Sequence, residues 1–462
     1  VKVSYESTMG AVAAACGGRL LAGDPSSAIE TITTDSRELG SRNLFVPIVG
    51  ERYDGHDYIE ALAESGALTG FFTEREPDRV LAERHGVAAV LCDSTLEAYG
   101  ALALSHRSSM NVKVIAITGT NGKTTVKEML YSVLSEKYRC LKNEKNYNNE
   151  IGLPFTLLHL RPEHELAVVE LGMNHPGEIE RLSLMARPDM AVITNIGEGH
   201  LEFLGSVEGV ARAKAEILSG LVPGGKIYLN RDTQCFDLLC DAARSRDCRI
   251  VTFGLYENAL VRAEDYSLGV DECSVTVRGE TYRAPVYGIH NVYNLLPVVA
   301  IALELGLEPD GIRRALASFR SMDKRSQVFE GEFVLIDDTY NSNPLSTRYA
   351  LMSIATIFPE RRKIAALADM KELGASSAGL HEKVGGMLVD YGFDLLCAFG
   401  EDARHYVKGA LAAGMRSYAA RHFESKGDLA AFLKGTLSGG DVLLVKGSRS
   451  MKMEEVADAL VR

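Results

Sequence analysis

The chain has 462 residues, which at roughly 150 residues per domain predicts about three domains and excludes a single small module. Hydrophobic residues make up 46% and charged residues 24%, an ordinary globular balance that excludes a disordered chain. A net charge of −12 argues against a general nucleic-acid or anionic-membrane surface, so any anionic substrate has to meet a local basic site.

Residues 1–108 alternate short β-branched runs such as Asn43–Val49 with helical spacing such as Tyr58–Ser65, and predict a small α/β domain. The polar stretch Ser105–Asn111 reads as the junction to a second domain, 109–320, which opens with the strand Val112–Thr118. Further continuous apolar runs, Ala167–Leu171, Met190–Asn195, Lys226–Asn230 and Arg249–Phe253, predict strands of a mostly parallel sheet buried on both faces. Residues 258–287 alternate more strictly and predict antiparallel hairpins, followed by a helix over Tyr293–Leu305. A third domain, 321–462, repeats the α/β rhythm with strands at Phe333–Asp337, Lys363–Ala368, Leu395–Phe399 and Asp441–Lys446, and predicts a second, Rossmann-like doubly wound sheet. The eight cysteines form no Cys-x-x-Cys pair and fit a reducing cytoplasm. No signal peptide, anchor or membrane-inserted segment is expected, because no uncharged apolar run nears the roughly 18–20 residues a spanning helix needs.

The sharpest motif is Gly119-Thr120-Asn121-Gly122-Lys123-Thr124-Thr125, between the strand Val112–Thr118 and a helical run over Thr124–Leu134. It is shorter between its glycines than the usual G-x-x-x-x-G-K-[ST] loop. The physics is the same: strand, glycine turn and helix N-terminus aim backbone N–H groups at a polyphosphate, Lys123 adds charge, and Thr124 offers a hydroxyl to Mg²⁺. Hard cations prefer oxygen, so Glu170, ending a strand, is a candidate ligand, and His200 follows another strand. Each, taken alone, reads as readily as an ordinary loop or helix-start residue.

These residues, together with Tyr147–Pro154, Glu170–His175, Asp337–Pro344, Ala368–Gly374 and Val445–Ser450, give a sequence that resembles the Mur ligases, ATP-dependent amide ligases of peptidoglycan precursor synthesis. Within that family it is similar to the branch that adds D-alanyl-D-alanine to UDP-N-acetylmuramoyl-tripeptide. The resemblance implies three domains: one gripping the UDP-sugar, a central ATPase, and a third that closes over the site. It implies ATP and two Mg²⁺ held by Thr124, Glu170, His200 and Lys214, the last matching a lysine that is carbamylated in several relatives. It implies catalytic parts for Lys123, Lys214 and His200. Asn291 and Asn294 would read the adenine edge, although both also suit a helix cap. Arg325 would reach the phosphates, although Lys324 beside it stands where many relatives have Gly. Asp338 and Tyr340 would meet the ribose and base. Ala368 stands where the family usually has Gly.

For the substrates, the resemblance implies Ser36 and Arg37, with the nearby segment Gly50–Asp57, around the UDP diphosphate, and Asn148, Asn149, Asn341 and Asn343 at the peptide. Lys446 and Arg449 would form a cationic pair for the dipeptide carboxylate, with pairing to Glu454 as the plainer alternative. A monomer with small-molecule partners and no nucleic acid is expected. The rival readings are another Mur-type amide ligase, a folylpolyglutamate synthase, or a P-loop NTPase that makes no bond.

Overall fold

The continuous apolar runs of the middle segment become a seven-stranded, wholly parallel sheet in the computed structural model, which describes residues 2–50, 52–320 and 323–461. Glu51, Ser321 and Met322, which fall in segments discussed above, and the end residues Val1 and Arg462 lie outside the described residues. The sheet runs Val261–Arg262, Arg249–Gly254, Lys226–Asn230, Met190–Ile193, Lys113–Thr118, Leu166–Glu170, Cys140–Lys142. Lys113–Thr118 sits between Met190–Ile193 and Leu166–Glu170, with Thr118 opposite Ile193 and Ile117 opposite Glu170. Three strands therefore end side by side, and their C-terminal ends form the crevice where open α/β sheets collect ligands.

The first domain carries a six-stranded sheet, parallel in its centre and antiparallel at both edges. Its Asn43 strand stops at Phe45, short of the expected Val49, because Pro47 has no N–H to donate to a ladder. The third domain is a six-stranded sheet, parallel except for its edge strand Gln327–Glu330. Val334–Asp338, Val442–Lys446 and Lys363–Ala368 are adjacent there, so Asp338, Lys446 and the segment after Ala368 emerge together.

Most of the polar stretch Ser105–Asn111 is helical. The helix Thr95–Ser109 runs through it, and Tyr99, Leu102 and Ala103 share one apolar cluster with Leu153, Leu157 and Leu182 of the central domain. Arg107 Nε donates to Ala186 O (3.1 Å) and His106 Nε2 lies 3.0 Å from Leu160 O. The polar residues there are used for joining the first domain to the second. Residues 258–287 divide: Val261–Arg262 extends the parallel sheet, and only Asp265–Leu268, Cys273–Val277 and Glu280–Ala284 form the antiparallel meander. Among the described residues, no helix is long and apolar enough to cross a membrane.

Candidate active site

The phosphate loop is held from one side by the segment after Met190–Ile193. Thr120 N–H donates to Asn195 O and Asn121 N–H to Asn195 Oδ1, both at 2.9 Å. Two glycines are steric requirements. At Gly119 (φ +148°) a Cβ would lie 1.9 Å from Thr194 Oγ1, and at Gly122 (φ +82°) it would lie 2.3 Å from Asn294 Oδ1. Gly122 caps the helix Lys123–Leu134 without any side-chain bond, so the first-turn N–H groups stay open to an anion. Lys123 Nζ folds back onto the loop's own carbonyls, Gly119 O (2.8 Å) and Thr120 O (3.2 Å). Burial lowers its pKa, Glu170 pulls it back up, and Arg325 adds to the lowering.

Glu170 is held rigidly. Its N–H donates to Asn143 Oδ1 (2.9 Å) and its carbonyl accepts from Asn143 Nδ2 (3.0 Å), while Asn143 O accepts from the fully buried Lys127 (2.7 Å). Oε1 accepts from Asn148 Nδ2 (2.8 Å), and Oε2 is buried with no partner. A buried carboxylate oxygen left bare costs of order 1–3 kcal/mol or more, so its presence points to a cation that completes it. The donor set, a hydroxyl, a carboxylate and an imidazole, fits Mg²⁺ only if phosphate and water oxygens complete the shell. Consistent with that, Glu170 and His200 belong to no preassembled cage; among the described residues the one tight His/acid triplet is Glu60, Glu64 and His85, on the first domain.

Lys214, on the helix Val207–Ala215, is 1% exposed and has no hydrogen bond or ion pair to a described residue. Burial drives its pKa well below the usual lysine value, Lys123 adds to the effect, and Glu170 and Glu216 oppose it. Such an amine gives up its proton more readily than a free lysine, which makes it the better nucleophile.

The third domain closes the cleft. Arg325 Nη2 donates to Thr124 Oγ1 (3.1 Å) and its guanidinium lies 3.8 Å from the Tyr340 ring centroid. The Asn343 and Asn121 side-chain amides exchange two hydrogen bonds (2.8 and 3.1 Å), and Asn343 Oδ1 also caps the helix Pro344–Ile357 by accepting from Ser346 N–H (2.9 Å). Asn343→Ala is expected to lower stability by about 1 kcal/mol, and Asn343→Asp, which keeps the cap, by clearly less. Denaturant midpoints measure both. The resulting cleft, about 460 Å³, is lined by Thr120–Thr124, Asn148, Asn149, Glu170, His200, Arg325, Tyr340 and Asn341.

Three family models match successive parts of the chain: "Mur ligase family, catalytic domain" over 28–108, "Mur ligase middle domain" over 117–302 and "Mur ligase, glutamate ligase domain" over 324–449. The chain belongs to the Mur ligase family. It is 34% identical over 437 residues to a UDP-N-acetylmuramoyl-tripeptide–D-alanyl-D-alanine ligase of Bacillus subtilis (strain 168), covering 94% of this chain and 93% of that one. The enzyme of the same name from Synechocystis sp. is 35% identical over 94% of this chain and 92% of its own. In structure the chain is similar to MurF from Acinetobacter baumannii, with TM-score 0.88, 32% identity, and 99% and 100% coverage.

Some positions implied by likeness to other Mur ligases lie elsewhere than expected. Asn291 and Asn294 do not line either cavity beside the phosphate loop. Asn291 Nδ2 donates to Tyr287 O (2.8 Å) and Asn294 Nδ2 to Asn291 Oδ1 (2.9 Å), and Asn294 backs Gly122, so the two brace the loop from inside the helix Ile289–Glu304. Asn149 does line the cleft, and its Oδ1 also accepts from Gly152 N–H (2.9 Å), starting the helix Gly152–Leu158. Lys446 and Arg449 form no cationic pair: Lys446, 1% exposed, bonds Asp338 and Asn341 O, while Arg449 Nη1 bonds Glu454 Oε1 at 2.7 Å. The Glu454 alternative thus holds for Arg449. Lys324 has φ +62°, which explains a preference for Gly there, and its amine is 3.0 Å from Glu454 Oε1.

Asp338, Tyr340, Thr125, Ser326 and His290 line a second, tighter cavity of about 90 Å³ beside Gly122. Burial pushes the His290 pKa down to about 4, so the imidazole is uncharged at neutral pH and the charges lining this cavity are Arg325 and the Asp338–Lys446 pair. Ser36 and Arg37 lie in a separate groove of the first domain with Phe45, Tyr53 and Tyr58, and Arg37 forms a two-point pair with Asp35. Sequence reasoning missed Asn143 and Lys127, which carry no motif of their own, and gave no role to His290, which opens the His-Asn-x-x-Asn segment of Asn291 and Asn294, or to Glu372 within Ala368–Gly374.

Proposed function

We propose that this protein joins D-alanyl-D-alanine to UDP-N-acetylmuramoyl-tripeptide at the expense of ATP, forming the UDP-linked pentapeptide of peptidoglycan synthesis. The observation that carries this reading is the convergence of the phosphate loop, the bare Glu170 oxygen and Arg325 of the third domain on one cleft. The tripeptide's terminal carboxylate attacks the γ-phosphorus, the bond to ADP breaks, and an acyl phosphate forms. The dipeptide amine then attacks the acyl carbon, loses a proton, and phosphate leaves. Carboxylate and triphosphate repel each other, so Lys123, Arg325 and the open helix N-terminus serve chiefly to neutralise charge, with alignment second. Mg²⁺ supplies further neutralisation when bound by Thr124, Glu170 and His200. Lys214, as the carbamate formed from its neutral amine and CO₂, adds an anionic oxygen pair to that set.

Ser36 and Arg37 lie toward the UDP end, and Asp338 and Tyr340 toward the nucleoside of ATP. Asn148 and Asn341 face the same cleft as the reacting groups. Arg449 keeps donors beyond its bond to Glu454 and is the residue best placed on the surface of its segment for a dipeptide carboxylate. Because three domains of one chain assemble the cleft, a monomer suffices, working in the cytoplasm where ATP and UDP-linked precursors are found.

Glu170→Gln and His200→Ala are expected to raise the Mg²⁺ concentration giving half-maximal activity by about tenfold or more, since even outer partners of metal ligands are worth 10–100-fold. An unchanged midpoint in both would make them structural. The function itself is tested by phosphate release across a matrix of UDP-muramyl peptides and amino-acid or dipeptide acceptors. Turnover only with the tripeptide and D-Ala-D-Ala together supports it; preference for a single amino acid, or release without acceptor, overturns it.

A further inference from the structure

His200 and Glu372 meet across the junction of the central and third domains, with His200 Nδ1 2.6 Å from Glu372 Oε2, an ion-pair contact in which the ring N–H is not aligned for a hydrogen bond. Both residues have left-handed backbones, φ +55° and +63°. That conformation is strained for a residue with a Cβ and persists where surrounding structure fixes it. Here it is fixed: Glu202 N–H donates to Glu372 O (3.0 Å), and Gly374 packs so close that a Cβ would be 3.1 Å from the Glu202 Cα. Lys383 of the third domain also lies 3.5 Å from Glu198 of the same loop.

The Glu372 side chain is 44% exposed, and an ion pair so open to water contributes too little to explain two strained residues by stability. Its chemical effect on the ring is larger. A carboxylate at Nδ1 selects the tautomer with the proton there and leaves the Nε2 lone pair for a ligand. His200 lines the phosphate cleft and Glu372 does not, so Glu372 acts through the imidazole and touches no substrate.

We infer that Glu372 is a positioning residue, by which docking of the third domain sets His200 in the Nδ1–H tautomer with Nε2 free for the cation of the nucleotide cleft. The inference rests on the reading of His200 as a metal ligand given above. It makes metal capture depend on domain docking: with the third domain apart, the imidazole loses its orienting partner. A carboxylate–histidine–metal relay is thereby divided between two domains.

The test measures Mn²⁺ binding by the paramagnetic-resonance signal of free Mn²⁺, using full-length protein with a non-hydrolysable ATP analogue. Glu372→Ala is expected to weaken Mn²⁺ by about 10–100-fold. Glu372→Gln, which keeps an oxygen beside Nδ1, should recover most of that loss and guards against a folding defect in the alanine variant. Metal-free affinity for the analogue should be unchanged in both, and His200→Ala combined with Glu372→Ala should bind Mn²⁺ no more weakly than His200→Ala alone. If His200→Ala weakens Mn²⁺ and Glu372→Ala does not, or if the two losses add in full, the positioning role is overturned. If His200→Ala binds Mn²⁺ like the parent, the ligand reading of His200 fails first, and the inference with it.

Discussion

Replacing Lys123 with alanine is expected to lower kcat for ligation by at least about 10²–10³-fold, the usual consequence of removing one preorganised donor from a site of developing negative charge. The same change should leave the melting temperature within about 2 °C of the parent. The amine bonds only carbonyls of its own loop, and no apolar packing depends on it. The helix behind it is anchored independently by buried Val126, Met129, Leu130 and Val133. Near-normal turnover in a folded variant would contradict the phosphate-loop reading. So would an equal loss of folding and activity, since that would make Lys123 a structural residue.

Lys214→Met is expected to abolish ligation and, in CO₂-free buffer, to raise stability. Methionine fills a similar volume without burying an amine that has no partner. The pH dependence has a definite sign. In the unfolded chain the lysine keeps its proton to about pH 10.4, whereas burial makes the folded protein release it at lower pH. Between those two values the unfolded state binds more protons, so unfolding free energy rises with pH in the parent, and this contribution is absent from the variant. Bicarbonate should stabilise and activate the parent alone, because a carbamate forms only on the folded protein's neutral amine. In Lys214→Ala, short carboxylic acids should restore part of the activity by occupying the vacated space. A methionine variant as active as the parent, or a parent indifferent to CO₂, would sink this role.

Much of the architecture was legible because its signals are local. Val112–Thr118 and Met190–Asn195 read as parallel strands from continuous apolar runs, and the phosphate loop read from glycine spacing between a strand and a helix. What was not legible depended on partners far away in the chain. Ser105–Asn111 looks like a linker, yet Arg107 and His106 satisfy carbonyls of the central domain. Asn291 and Asn294 have the right amides for reading a base, but one donates to Tyr287 O just before the helix and the other to Asn291 Oδ1, which only coordinates reveal. Lys446 looked like a surface cation beside Arg449, and it is buried because the adjacent strand end places Asp338 opposite it. Glu372 carries its role only when two domains meet.

The most direct measurement of the central claim follows oxygen. With the tripeptide's terminal carboxylate labelled in both oxygens with ¹⁸O, attack on the γ-phosphorus carries one labelled oxygen into the released phosphate and leaves the other in the new amide. Mass spectrometry of phosphate and product from one reaction containing ATP, Mg²⁺ and D-Ala-D-Ala is expected to show one ¹⁸O in phosphate for each pentapeptide formed. Unlabelled phosphate, or phosphate released without pentapeptide, would contradict activation of a carboxylate in this cleft.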